Sequence, residues 1–147
     1  MSATSRTILA ALDSAASDIY FPSWYRGDNH DTSTPSTVVG TANDSTMHSV
    51  ATDVIRLDGV PKEALKCKKF VEVTLPLVSV GKLCQHGMHI HFDEHFVRVY
   101  DAHGCLVVQG HRDKRQNIYL IPVGMAAPRV KKPPVTETAN LAAPRVN

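Results

Sequence analysis

The sequence predicts an all-β domain, a small barrel or sandwich with one short helix, on two observations. The first is period two. Val71, Val73 and Leu75 alternate with Glu72 and Thr74; Met88, Ile90 and Phe92 with His89 and His91; Val97 and Val99 with Arg98 and Tyr100. Each run has the pattern of a strand with one buried face. The second is the close spacing of turn signals between short β-type runs. Asp101-Ala102-His103-Gly104 separates two such runs, and glycine accepts positive φ at no steric cost. Many short strands so punctuated fit a closed or sandwiched sheet.

In chain order, Ile8–Leu12 reads as an apolar strand that delivers Asp13 into a turn of small residues, Ser14-Ala15-Ala16-Ser17. Tyr20–Ser23 and Trp24 read as core and loop packing. Asp28–Thr37 is polar and reads as a loop. Val38–Ala42 and Met47–Leu57 form a long hairpin across Asn43-Asp44-Ser45-Thr46. Ser79–Gly87 breaks the alternation: Val80, Leu83 and Cys84 have helical spacing, with Ser79 placed to cap the start and Gly87 the end. Leu106–Val108 and Ile118–Ile121 close the series. Residues 1–123 thus form the domain. Residues 124–147, where Ala-Ala-Pro-Arg-Val occurs twice around Lys131-Lys132-Pro133-Pro134, read as a disordered Pro/Ala-rich tail.

At 147 residues and 43% apolar content the chain suffices for one packed core. A net charge of +2 and few aromatics give no argument for nucleic acid. No apolar run approaches the roughly 18 residues of a membrane helix, and no secretion signal is legible. Cys67, Cys84 and Cys105 are odd in number and widely spaced, which predicts reduced, buried thiols in an intracellular, cytoplasmic setting. His89-x-His91-x-x-x-His95 with Asp93 and Glu94 could in principle ligate a metal. The same alternation puts His89 and His91 on the solvent side of a strand, and no second ligand box accompanies them. The expectation is no metal and no cofactor.

Asp13 carries the candidate chemistry. A lone acid after a strand is ordinarily a turn residue or cap. Aspartic proteases instead need two carboxylates close enough to share a proton and hold a water; one is base to the water while the other donates to the peptide carbonyl. The chain has one such motif, so a pair requires two copies on a twofold axis.

Four segments, in order, resemble the retropepsin-like protease domain of copia-type LTR-retrotransposon Pol polyproteins. Asp13-Ser14-Ala15-Ala16-Ser17 is similar to the family's Asp-Ser-Gly-Ala-Ser signature. Val38-Val39-Gly40-Thr41-Ala42-Asn43 with Met47-His48-Ser49 resembles its flap-like hairpin. Leu75-Pro76-Leu77-Val78-Ser79-Val80-Gly81-Lys82-Leu83-Cys84 resembles its hydrophobic-Ser-Val-Gly-Gln-Leu box. Gly110-His111-Arg112-Asp113 and Asn117–Pro122 resemble its closing strands. The resemblance spans residues 8–123. It implies a small closed barrel and a homodimeric aspartic endopeptidase acting on the element's own polyprotein. Asp13 would be catalytic, Ser14 would brace it, and the main chain around Thr41, Ala42, Asn43 and Met47 would cover an extended peptide substrate.

Three departures qualify the implied activity. Ala15 stands where the family has glycine, and a methyl added in a close-packed site costs about 1–3 kcal/mol, more if φ must be positive. Ile19 stands where the family commonly has histidine. Only twelve residues precede Asp13, too few for the first hairpin of retroviral proteases. These departures define an alternative: a catalytically dead dimerisation or peptide-binding module derived from that domain.

Overall fold

The computed structural model describes residues 5–126. Its strands are β1 (Ser5–Asp13), β2 (Tyr20–Pro22), β3 (Asp28–Asp31), β4 (Val38–Gly40), β5 (Thr46–His48), β6 (Ala51–Val54), β7 (Lys66–Phe70), β8 (Leu77–Ser79), β9 (His89–Phe92), β10 (Phe96–Tyr100), β11 (Leu106–Asp113) and β12 (Ile118–Ala126), with helix α1 (Val80–Gln85) after β8. Ten strands form one sheet in the order β3-β6-β7-β2-β8-β1-β12-β11-β10-β9, and β4-β5 stand apart as a hairpin. The domain is all-β with one short α-helix.

The hydrogen-bonded ladder does not close on itself, which corrects the expected closed barrel. Its ends are β3 and β9. β3 is Asp-Asn-His-Asp, its pairing with β6 is irregular between Asp28 and Asp31, and Asn29 turns to φ 54°. Such a short, charged, distorted strand ends a sheet rather than continuing it. The sheet instead curls onto itself through a single bridge between Arg56 and Gly124. Tyr25, wholly buried, supports that contact: its hydroxyl donates to the Gly124 carbonyl at 2.7 Å and accepts from the Arg56 N–H at 3.0 Å. The core fills the concave side with Ile19, Phe21, Ile55, Val78, Leu83, Val97, Val99, Ile121 and Val123.

β1 lies between two partners. Antiparallel β12 runs beside it from Ser5↔Ala126 to Leu12↔Tyr119, and parallel β8 meets its end at Asp13↔Ser79. Its antiparallel neighbour comes from the other end of the described chain. Central placement explains the small residues: Ala10 and Ala11 are 0% and 2% exposed. β12 also shows that Gly124, Met125 and Ala126 belong to the sheet; the rest of the expected tail lies outside the described residues.

Several expectations hold. The Ser79 hydroxyl accepts from the Lys82 N–H at 3.1 Å as the cap of α1, and Gly87 ends it at φ 85°. In the Asp101–Gly104 turn, the Asp101 carboxylate accepts from the N–H groups of His103 and Cys105. Others are corrected. Residues 71–75 are not a strand, and Val71 is 69% exposed. Asp28–Asp31, read as loop, pairs with β6. The hairpin's second arm breaks at Ser49-Val50, so β5 and β6 belong to different sheets. Trp24 is 54% exposed, not core. Of the cysteines only Cys67 is buried; Cys84 and Cys105 are exposed. Of the helix, Leu83 is buried in the core and Val80 packs half-buried against it, while Cys84 is exposed.

Candidate active site

Asp13 is the last residue of β1, half-buried, where the sheet hands over to the turn at Ser14-Ala15. One carboxylate oxygen, Oδ1, accepts the Ala15 backbone N–H at 2.8 Å. That hydrogen bond is made by main chain, so alanine in place of glycine leaves it intact. Ala15 is not among the residues of positive φ. The methyl therefore imposes no left-handed strain within the chain, and Ala15 is exposed. Any cost arises only where a second chain would pack against it.

Ser14 is exposed, and among the described residues its hydroxyl makes no hydrogen bond. The hydroxyl that braces the turn within the protomer is that of Ser79. It is 1% exposed and donates to the Ala16 carbonyl at 2.8 Å while accepting from Lys82 N–H. One side chain thus ties the Asp13 turn to the start of α1. Ser79 was legible in the sequence as a helix cap, but its second partner lies 63 residues away.

The turn's far side is held by charge. Asp18 is paired with Lys68 and lies 3.3 Å from Lys82. Burial pushes its carboxyl up, but the Lys68 hydrogen bond, the Ile19 N–H and the two lysine charges outweigh this and hold it below the usual aspartate value. Ile19, the residue in the histidine's place, is wholly buried in the core.

Thr41, Ala42, Asn43 and Met47 line one open cavity of about 460 Å3 with Ser45, Thr46 and Glu72. Asp13 and Ser14 do not line it. The hairpin tip is closed by its own network: the Asn43 Oδ1 accepts from the Thr41 and Ser45 hydroxyls at 2.6 and 2.7 Å, and Thr41 N–H donates to the Ser45 carbonyl at 2.8 Å. Asp44 takes φ 67° at the apex. Asn43 therefore shapes the tip through its side chain.

Segment 71–76, the link from β7 to β8, contributes to both regions. Glu72 borders the hairpin-tip cavity, while the Pro76 carbonyl accepts from the Ala11 N–H at 2.8 Å, two residues before Asp13. Glu72 was missed as a site residue, because its alternation with Val71 and Val73 mimics a strand's polar face.

His89, His91 and His95 are exposed, and no group of three metal-ligating side chains comes together among the described residues. No helix among them is long and apolar enough to cross a membrane. Comparison with protein-family models, with curated proteins and with solved structures finds no match to this chain.

Proposed function

We propose that this domain is a retropepsin-like aspartic endopeptidase of a retrotransposon Pol polyprotein, assembled as a homodimer with one Asp13 from each chain. The observation that carries this reading is the placement of Asp13 at the end of β1, beside Ser79 of the parallel strand β8, with Ser79 bonded to the intervening turn. A carboxylate on a loop pinned at both sides keeps its geometry, and catalysis is sensitive to shifts of about 1 Å. Across a twofold axis, two such carboxylates would share a proton; one would activate water and the other protonate the scissile carbonyl oxygen. The β4-β5 hairpin would cover the peptide, with Thr41, Ala42, Asn43 and Met47 near its backbone. Exposed Val38, Val71 and Leu75 supply apolar surface for its side chains. The expected setting is intracellular, and the domain itself needs no metal or nucleic acid.

A second reading, a dimerisation or peptide-binding module without catalysis, is favoured by one observation. The exposed Ala15 methyl lies on the turn that two chains would have to share. Both readings are tested with concentrated protein at about pH 4–6, where an aspartate pair can hold a single proton, using a peptide library with and without a transition-state-mimicking inhibitor. Cleavage that disappears in Asp13→Asn supports the enzyme. Peptide binding without cleavage supports the module. The enzyme reading also requires dimers in sedimentation across concentration.

A further inference from the structure

A second cavity, of about 680 Å3, lies at the end of β2, and its lining includes Trp24, Arg26, Gly27, His30, Asp53 and Lys69. Its volume is in the range of small-molecule sites, and it includes no residue of the Asp13 turn or the hairpin tip. Its floor is electrostatically complete. The Asp53 carboxylate, 1% exposed, accepts from Gly27 N–H at 2.8 Å, lies 2.8 Å from the His30 Nδ1 and is 3.0 Å from the Lys69 ammonium. Lys69 also donates to the Tyr25 carbonyl at 2.8 Å. Asp53 and Lys69 cancel each other's charge and have their hydrogen bonds satisfied.

The wall is different. Tyr25 points wholly into the core, held by Gly124 and Arg56, so its neighbours on either side, Trp24 and Arg26, are turned outward. Trp24 is 54% exposed. Arg26 is exposed and makes no ion pair among the described residues. A large indole left in water beside an uncompensated guanidinium, both on one concavity, offers a stacking surface and a planar anion-binding fork.

We propose that this cavity binds a flat aromatic ring bearing an anionic group, phosphate or carboxylate, with the ring on Trp24 and the anion on Arg26. Trp24 is the chain's single tryptophan, so its emission reports on this cavity alone. The experiment titrates the protein with AMP and with benzoate, and with adenosine and inorganic phosphate as the ring and the anion taken separately. Saturable quenching by AMP or by benzoate is expected, and which of them acts distinguishes phosphate from carboxylate. Adenosine, and AMP or benzoate on the Arg26→Gln variant, should bind about tenfold more weakly, the scale of a lost charge-assisted hydrogen bond. Inorganic phosphate should bind more weakly than AMP because it lacks the ring that stacks on Trp24. The proposal is overturned if neither AMP nor benzoate saturates. It is also overturned if adenosine matches AMP where AMP is the ligand, or if Arg26→Gln binds as tightly as the unaltered chain. No step of the test reads proteolysis, so its outcome is independent of the protease reading.

Discussion

The Lys69 ammonium lies 3.0 Å from the Asp53 carboxylate, with the two side chains 4% and 1% exposed. Taking two charges out of water is costly, and breaking such a pair leaves the survivor uncompensated. Lys69→Met should therefore lose about 3–5 kcal/mol of unfolding free energy in urea. Replacing both residues by apolar ones should recover part of that loss. The recovery is partial because Asp53 also accepts the Gly27 N–H.

Ser79 holds two partners, the Lys82 N–H and the Ala16 carbonyl. Ser79→Ala should cost about 1–2 kcal/mol through the lost cap and the orphaned carbonyl. Ser14→Ala, at an exposed hydroxyl, should change the urea midpoint little. Equal losses in the two variants would contradict the assignment of the brace to Ser79.

Asp13→Asn should leave the unfolding midpoint nearly unchanged, because the Ala15 N–H still has an oxygen to bond, and under the proposed protease reading it should abolish cleavage. Under the same reading Ala15→Gly should raise the cleavage rate, without changing the stability of the chain by more than about 1 kcal/mol. The gain should appear together with tighter dimerisation in sedimentation runs, since the methyl faces outward.

Gly110 is fixed by close approach. A Cβ built there falls 1.9 Å from the Leu120 carbonyl oxygen on β12. Gly110→Ala must push β11 away from β12, and should cost at least the roughly 1–3 kcal/mol of overpacking. Thermal unfolding of the purified variant measures it; a midpoint equal to that of the unaltered protein would show that the strands part freely.

Acid should weaken the turn. The folded-state pKa of Asp18 is depressed below the usual 3.8 by the sum of Lys68, Ile19 and Lys82 against burial. Its contribution to stability is therefore present above about pH 4 and lost as pH falls through the folded value. Asp31, Asp93 and Asp101 are depressed too, so the unaltered protein alone cannot single out Asp18. The difference between it and Asp18→Asn should be constant near neutral pH and shrink below about pH 4 in urea titrations. Cys67 gives the complementary check: burial first, then the nearby Asp53 charge, push its thiol up to about 12. It should resist alkylation at neutral pH in the folded state, while exposed Cys84 and Cys105 react.

Residues 71–75 and 66–70 show where sequence pattern misleads. Val71-Glu72-Val73-Thr74-Leu75 alternates well, yet it is the irregular link between β7 and β8. Lys66-Cys67-Lys68-Lys69-Phe70 has three lysines, yet it is β7, paired with both β6 and β2. Lys69 can sit inside only because Asp53 on the adjacent strand and the Tyr25 carbonyl receive its hydrogens. No local pattern announces a partner 16 or 44 residues away. The same holds for Trp24, whose outward orientation follows from the anchoring of Tyr25 next to it.

By itself the sequence determined the β class, the one capped helix, the Asp101–Gly104 turn and the apolar strand ending in Asp13. These rest on local rules: side-chain alternation, capping hydroxyls and glycine's access to positive φ. The tertiary structure alone decided that the sheet stays open at β3 and β9, that β12 flanks β1, and that Ser79 braces the turn. Those outcomes depend on which backbone edges and buried polar groups find partners across the chain, and hydrogen-bond satisfaction at long range leaves no periodic trace in the residues that achieve it.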